Sequence, residues 1–113
     1  MNYINWKNIW VDEIDRYMNN NKYIVLDVRD EYEYDRYHIN SAVNVPFNKY
    51  FNQDAFTGKA ELENILTGKI PILYCERGGS SMMAAKILSS WGIPCINIIG
   101  GIVNYKGKFK VFH

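Results

Sequence analysis

Ile72-Leu73-Tyr74-Cys75-Glu76-Arg77-Gly78-Gly79-Ser80-Ser81 is the stretch that decides the fold. An apolar run ends on a cysteine, a short loop with two glycines follows, and two serines open an apolar-periodic segment. Ile72 to Tyr74 reads as a buried strand, while Ala84, Ile87, Leu88 and Trp91 recur at i, i+3, i+4 and i+7 and predict a helix over 81–91. Ser80 or Ser81 can cap its amino end, and Gly92 and Pro94 stop it. The Cys75 thiol then faces backbone N–H groups that have no intrahelical partner, and the positive end of the helix dipole. Both favour thiolate, the reactive form of the group. Cys75 is the candidate nucleophile, and Glu76, Arg77, Gly78, Gly79, Ser80 and Ser81 form its candidate substrate-binding loop.

Working outward, Tyr23-Ile24-Val25-Leu26 reads as a second buried strand, with Asp27-Val28-Arg29 at its carboxyl end. Cys95-Ile96-Asn97-Ile98-Ile99 reads as a third, and Ala42-Val43-Asn44-Val45 as a brief strand closed by Pro46. Val11, Ile14 and Met18 predict a small amphipathic helix over about 10–19, broken by Asn19-Asn20-Asn21. Residues 30–37 suit a short helical turn, and a further helix is expected around 60–66. Gly100-Gly101 turns into a short terminal segment ending at Tyr105. Strands alternating with helices imply an α/β domain on a parallel sheet. Ligand sites in such sheets lie beyond the carboxyl ends of the strands, where Asp27, Arg29 and Cys75 fall.

Composition narrows the function. With 48% hydrophobic and 22% charged residues over 113 positions, the chain reads as one globular domain spanning 1–113. Thirteen Lys and Arg against twelve Asp and Glu give a net charge of +1, so neither nucleic acid nor a membrane surface is an expected partner. No apolar run approaches the roughly 20 residues that span a bilayer. Met1 to Lys7 lacks a basic region followed by an apolar block, the pattern of a secretory signal. Two distant cysteines without Cys-x-x-Cys support neither a zinc site nor a dithiol redox pair. The expectation is a cytoplasmic, reducing setting in which Cys75 is free to act, with no metal and no cofactor.

Three separated segments resemble one family. Leu26-Asp27-Val28-Arg29, Glu33-Tyr34 and His38-Ile39-Asn40-Ser41-Ala42-Val43-Asn44-Val45-Pro46 are similar to the opening signature of rhodanese domains. Cys75 to Ser81 resembles the rhodanese active-site loop, and Gly100-Gly101-Ile102-Val103-Asn104-Tyr105 the family's closing Gly-Gly element. The match runs over about residues 10–105. Tyr37 and Ser41 stand where family members usually have glycine. The resemblance implies a rhodanese-like α/β fold, a central parallel sheet with helices on both faces, and sulfurtransferase activity. Cys75 would attack a sulfane donor such as thiosulfate, carry the sulfur as a persulfide, and pass it to a thiol or protein acceptor.

Alternatives accompany these assignments. Asp27 and Arg29 either form an ion pair that fixes the strand end, the favoured reading, or touch substrate. His38 is read as a structural hydrogen-bonding residue ahead of a general base. Cys95 sits in an apolar strand and is read as core ahead of a resolving thiol. A sulfur-delivery module with a dedicated protein partner needs the same loop as a general enzyme. A phosphatase or arsenate reductase of related fold would need a guanidinium to clamp several anion oxygens, and Ser81, six residues after Cys75, cannot supply one.

Overall fold

The computed structural model describes residues 6–113. Met1 to Asn5, most of the opening segment that lacks the secretory-signal pattern, lies outside them. In chain order the elements are β1 (Trp6–Trp10), a 3-10 helix (Val11–Tyr17), β2 (Tyr23–Asp27), α1 (Glu31–Arg36), β3 (Tyr37–Ile39) and β4 (Val43–Asn44). Then follow α2 (Phe47–Tyr50), α3 (Ala55–Leu66), β5 (Ile70–Tyr74), α4 (Gly79–Ser90), β6 (Cys95–Ile99), a 3-10 turn (Ile102–Asn104) and β7 (Lys110–Phe112).

Five strands form one sheet in the order β1-β6-β5-β2-β4, and every pairing is parallel. Side chains alternate across it. Leu26, Leu73 and Cys95 face one layer with Leu62, Leu66, Ala84, Ala85, Leu88 and Trp91, which come from α3, α4 and the turn after α4. Val25, Ile72, Tyr74, Ile96 and Ile98 face the other, with Val11, Ile14, Ile39 and Ile102. Helical segments therefore cover both faces, long on one side and short on the other. A separate antiparallel pair, β3 with β7, sets His38 opposite Val111.

Several boundaries differ from the sequence expectation for physical reasons. The segment after β1 is a 3-10 helix because Val11, Ile14 and Tyr17 repeat every third residue, the spacing that eclipses on three residues per turn. Helix α3 begins at Ala55, earlier than expected, because the Asp54 carboxylate accepts the Thr57 N–H at 2.9 Å. Gly58 inside that helix is where the Trp91 ring packs, since an added Cβ would lie 2.4 Å from it. Strand β1 was not anticipated; Lys7 and Asn8 are exposed on this short edge strand, which hides its alternation. Of the two glycine substitutions, Tyr37 has an extended backbone at φ −169°. Ser41 occupies the left-handed region at φ 68°, a conformation that favours glycine.

Candidate active site

Strand β5 ends at Tyr74, and Cys75 opens the loop that feeds α4. The Cys75 sulfur accepts the Gly78 N–H at 3.1 Å and the Ser81 N–H at 3.4 Å. Those donors belong to the N-cap and third residue of α4, so the sulfur fills the place that a capping hydroxyl usually takes. The expected serine cap is not what forms. Gly78 is the N-cap, at φ 114°, and the fully buried Ser81 hydroxyl lies 3.3 Å from the Gly78 carbonyl and 3.6 Å from Sγ.

The closing Gly-Gly element shapes this loop from outside. The Cys75 carbonyl accepts the Ile102 N–H at 3.0 Å, and the Glu76 carbonyl accepts the Val103 N–H at 3.2 Å. Both oxygens are thereby occupied on the side of the terminal 3-10 turn. Gly101, at φ 69°, lies so close that a Cβ there would fall 2.1 Å from the Glu76 carbonyl oxygen. Only glycine allows that approach.

Beneath the loop lies a buried polar chain. Asp27 is wholly buried and Arg29 is 5% exposed. The guanidinium donates to both Asp27 oxygens at 2.9–3.2 Å, to the Tyr37 carbonyl, and through Nη1 to Glu76 Oε1 at 3.2 Å. The Tyr74 hydroxyl donates to Asp27 Oδ2 at 2.6 Å and accepts the Ile39 N–H at 2.9 Å. Burial works against the Arg29 charge, but the Asp27 bonds and attraction more than restore it, so its pKa lies above the ordinary value. Burial, then the Asp27 charge, also pushes the Tyr74 hydroxyl up. Asp27 and Arg29 form the ion pair expected at the strand end. Tyr74 and the Arg29–Glu76 contact were missed. Asp27 and Tyr74 are register partners across β2 and β5, a proximity that only the strand order reveals.

An open cleft of about 430 Å³ meets Cys75, lined also by Val28, Arg29, Asp30, Glu33, Phe47, Asn48, Glu76, Arg77, Gly79 and Ser80. Arg77 is exposed, and among the described residues it forms no ion pair. His38 does not line the cleft. Its Nδ1 lies 3.0 Å from the Tyr34 carbonyl and its ring stacks on Tyr34 at 3.9 Å. Cys95 is 3% exposed; its thiol faces the Ala85 carbonyl at 3.8 Å, and burial pushes its pKa up to about 12. A larger hollow of about 530 Å³ opens near the start of β2, without Cys, His, Asp or Glu in its lining. Among the described residues no three or more His, Cys, Asp or Glu are grouped to hold a metal ion. No helix among them is long and apolar enough to cross a membrane.

The site is thus a cysteine between a central parallel strand and a helix amino terminus, with two main-chain N–H groups on its sulfur. The chain belongs to the rhodanese-like domain family, whose model matches residues 11–108. It is 30% identical over 99 residues to a probable molybdopterin-synthase adenylyltransferase of Porphyra purpurea, covering 85% of this chain and 24% of that protein. It is 31% identical over 90 residues to the adenylyltransferase and sulfurtransferase UBA4 of Candida glabrata, covering 76% of this chain and 21% of that protein. The chain thus spans about a quarter of the length of these curated relatives. Its fold resembles the crystal structure of a rhodanese-like domain protein from Staphylococcus aureus, with a TM-score of 0.73 and 22% identity, covering 95% of this chain and 98% of that one.

Proposed function

We propose that this domain is a sulfurtransferase that carries sulfane sulfur on Cys75. The observation that carries the reading is the pair of N–H groups, from Gly78 and Ser81, donated to Sγ at 3.1 and 3.4 Å. Hydrogen bonds of this kind favour an anionic sulfur and need no rearrangement when charge develops. The Cys75 thiolate attacks the outer sulfur of a donor such as thiosulfate. The donor S–S bond breaks as the Cys75 S–S bond forms, and sulfite leaves with the bonding pair. A thiol or protein acceptor then attacks the outer sulfur of the persulfide and returns Cys75 as thiolate. One transfer becomes two easier steps. Asp27, Arg29 and His38 support the scaffold in this scheme, and Glu76 to Ser81 line the path of the sulfur.

Intact mass after incubation with a sulfane donor tests the reading. One sulfur, about 32 Da, is expected on the wild type and none on Cys75→Ser, as a covalent intermediate requires. An adduct that persists in Cys75→Ser refutes the assignment.

A second reading is delivery of that sulfur to one dedicated protein partner. It is supported by the relatives, in which the matching region is a quarter or less of a larger protein, one of them named as adenylyltransferase and sulfurtransferase. Comparing acceptor rates for small thiols and for a protein separates the two. Phosphoryl transfer is disfavoured because Ser81, at the end of the loop, is fully buried and brings no guanidinium to the cleft.

A further inference from the structure

The cleft holds a carboxylate tied to a buried guanidinium. Glu76 Oε1 accepts from Arg29 Nη1 at 3.2 Å, and its side chain is 39% exposed while that of Arg29 is 3% exposed. The Arg29 charge is already engaged by Asp27, so the chain Asp27–Arg29–Glu76 ends at the surface with one uncompensated negative charge. Asp30 and Glu33 line the same cleft, Glu33 paired with Arg36 at 3.1 Å, and Arg77 is the exposed cation in the lining. An untethered glutamate would swing away from an arriving anion. This one is tied to a buried group one residue from the nucleophile.

We infer that Glu76, positioned by Arg29, is a charge filter that makes the Cys75 site discriminate against doubly anionic sulfur donors such as thiosulfate in favour of organic persulfides. The inference rests on the sulfur-transfer reading. Coulomb energy is linear in ligand charge, so whatever factor the carboxylate costs a monoanion is squared for a dianion at the same place. The chemistry is otherwise shared. With a persulfide monoanion R–S–S⁻, the Cys75 thiolate bonds to the outer sulfur, the donor S–S bond breaks, and R–S⁻ leaves with the electron pair, so that Cys75 carries the sulfur as Cys–S–S⁻. No outside oxidant or reductant is needed in either case.

Glu76→Gln tests the filter, because the amide oxygen can still accept from Arg29 and only the charge is lost. The rate at which Cys75 gains one sulfur is followed by intact mass with thiosulfate and with N-acetylcysteamine persulfide, at low and high salt, subtracting the Cys75→Ser background. At low salt the substitution is expected to raise loading from thiosulfate about tenfold and from the persulfide about threefold, the squared relation above. The gap should close at high salt. A merely structural tie would change both donors alike and ignore salt, so equal factors, or a fall for both, overturn the filter. Failure of the wild type to load from either donor overturns sulfur transfer itself, and the filter with it.

Discussion

Cys75 and Cys95 belong to the same apolar cluster and are almost equally buried, at 5% and 3% exposure, yet their surroundings differ in kind. Cys95 lies at the start of β6, has a carbonyl oxygen as its polar neighbour, and holds its proton up to about 12 because it is desolvated. Cys75 lies at the end of β5 and accepts two main-chain N–H groups. Burial alone makes a thiol inert. A position on the sheet where donors converge makes it a candidate nucleophile, and a difference of strand end is enough to separate the two.

The largest expected contrast comes from removing each sulfur. Cys75→Ser should lower sulfur transfer by about a thousandfold or more, while Cys95→Ser should stay within about twofold of the wild type, since a core thiol takes no part in covalent chemistry. Strong loss in a folded Cys95→Ser would break the comparison and give that thiol a resolving role. Next in size is Gly101→Ala. Its Cβ would overlap the Glu76 carbonyl, 2.1 Å away, at a φ of 69°. Activity should fall roughly tenfold to a hundredfold, with a stability loss of about 1–3 kcal/mol from strain. Thermal melts beside kcat/KM check both, and an unchanged variant would show that the donors do not need the closing turn.

Arg77→Ala asks whether side-chain charge adds to the main-chain donors. Arg77 is exposed on the cleft, so KM for thiosulfate should rise about threefold to tenfold at low salt and the effect should shrink as salt is added. The smallest expected effect on activity belongs to Cys95, whose removal acts on stability at alkaline pH. Its pKa rises from 9.0 unfolded to about 12 folded, so the folded state holds more protons between those values. The stability this contributes is fully present below pH 9.0 and is lost as pH rises toward about 12, by up to about 1.4 kcal/mol per pH unit. Cys95→Ala should flatten that part of the alkaline slope in urea unfolding. Tyr74 and Tyr105, whose hydroxyls burial also pushes up, should keep the remainder.

The central sheet and the loop of the candidate nucleophile were legible because each signal is local. Ile72 to Ser81 contains a strand, a loop and a helix start in ten consecutive residues, and the helix face of Ala84, Ile87, Leu88 and Trp91 is continuous in sequence. What escaped depends on distant pairing. Trp6 aligns with Cys95, and Tyr37 with Phe112, and no local period announces an edge strand of five residues or a pair of three-residue strands. The serine cap failed for another reason. Serine is the usual residue at that place, but the competing acceptor was the Cys75 sulfur, whose role as cap depends on the path of the loop. The direction of Glu76 was hidden as well, because Arg29 lies 47 residues earlier.

The closure of the loop by Ile102 and Val103 has a consequence for synthesis. A nascent chain released from the ribosome as far as α4 has the cysteine and the glycines, but not the N–H groups that occupy the Cys75 and Glu76 carbonyls. The first strand also waits, because Trp6–Trp10 pairs with Cys95–Ile99. Both early and late segments must therefore be present before the thiol acquires its surroundings, and an N-terminal fragment ending before Gly100 lacks the clasp altogether.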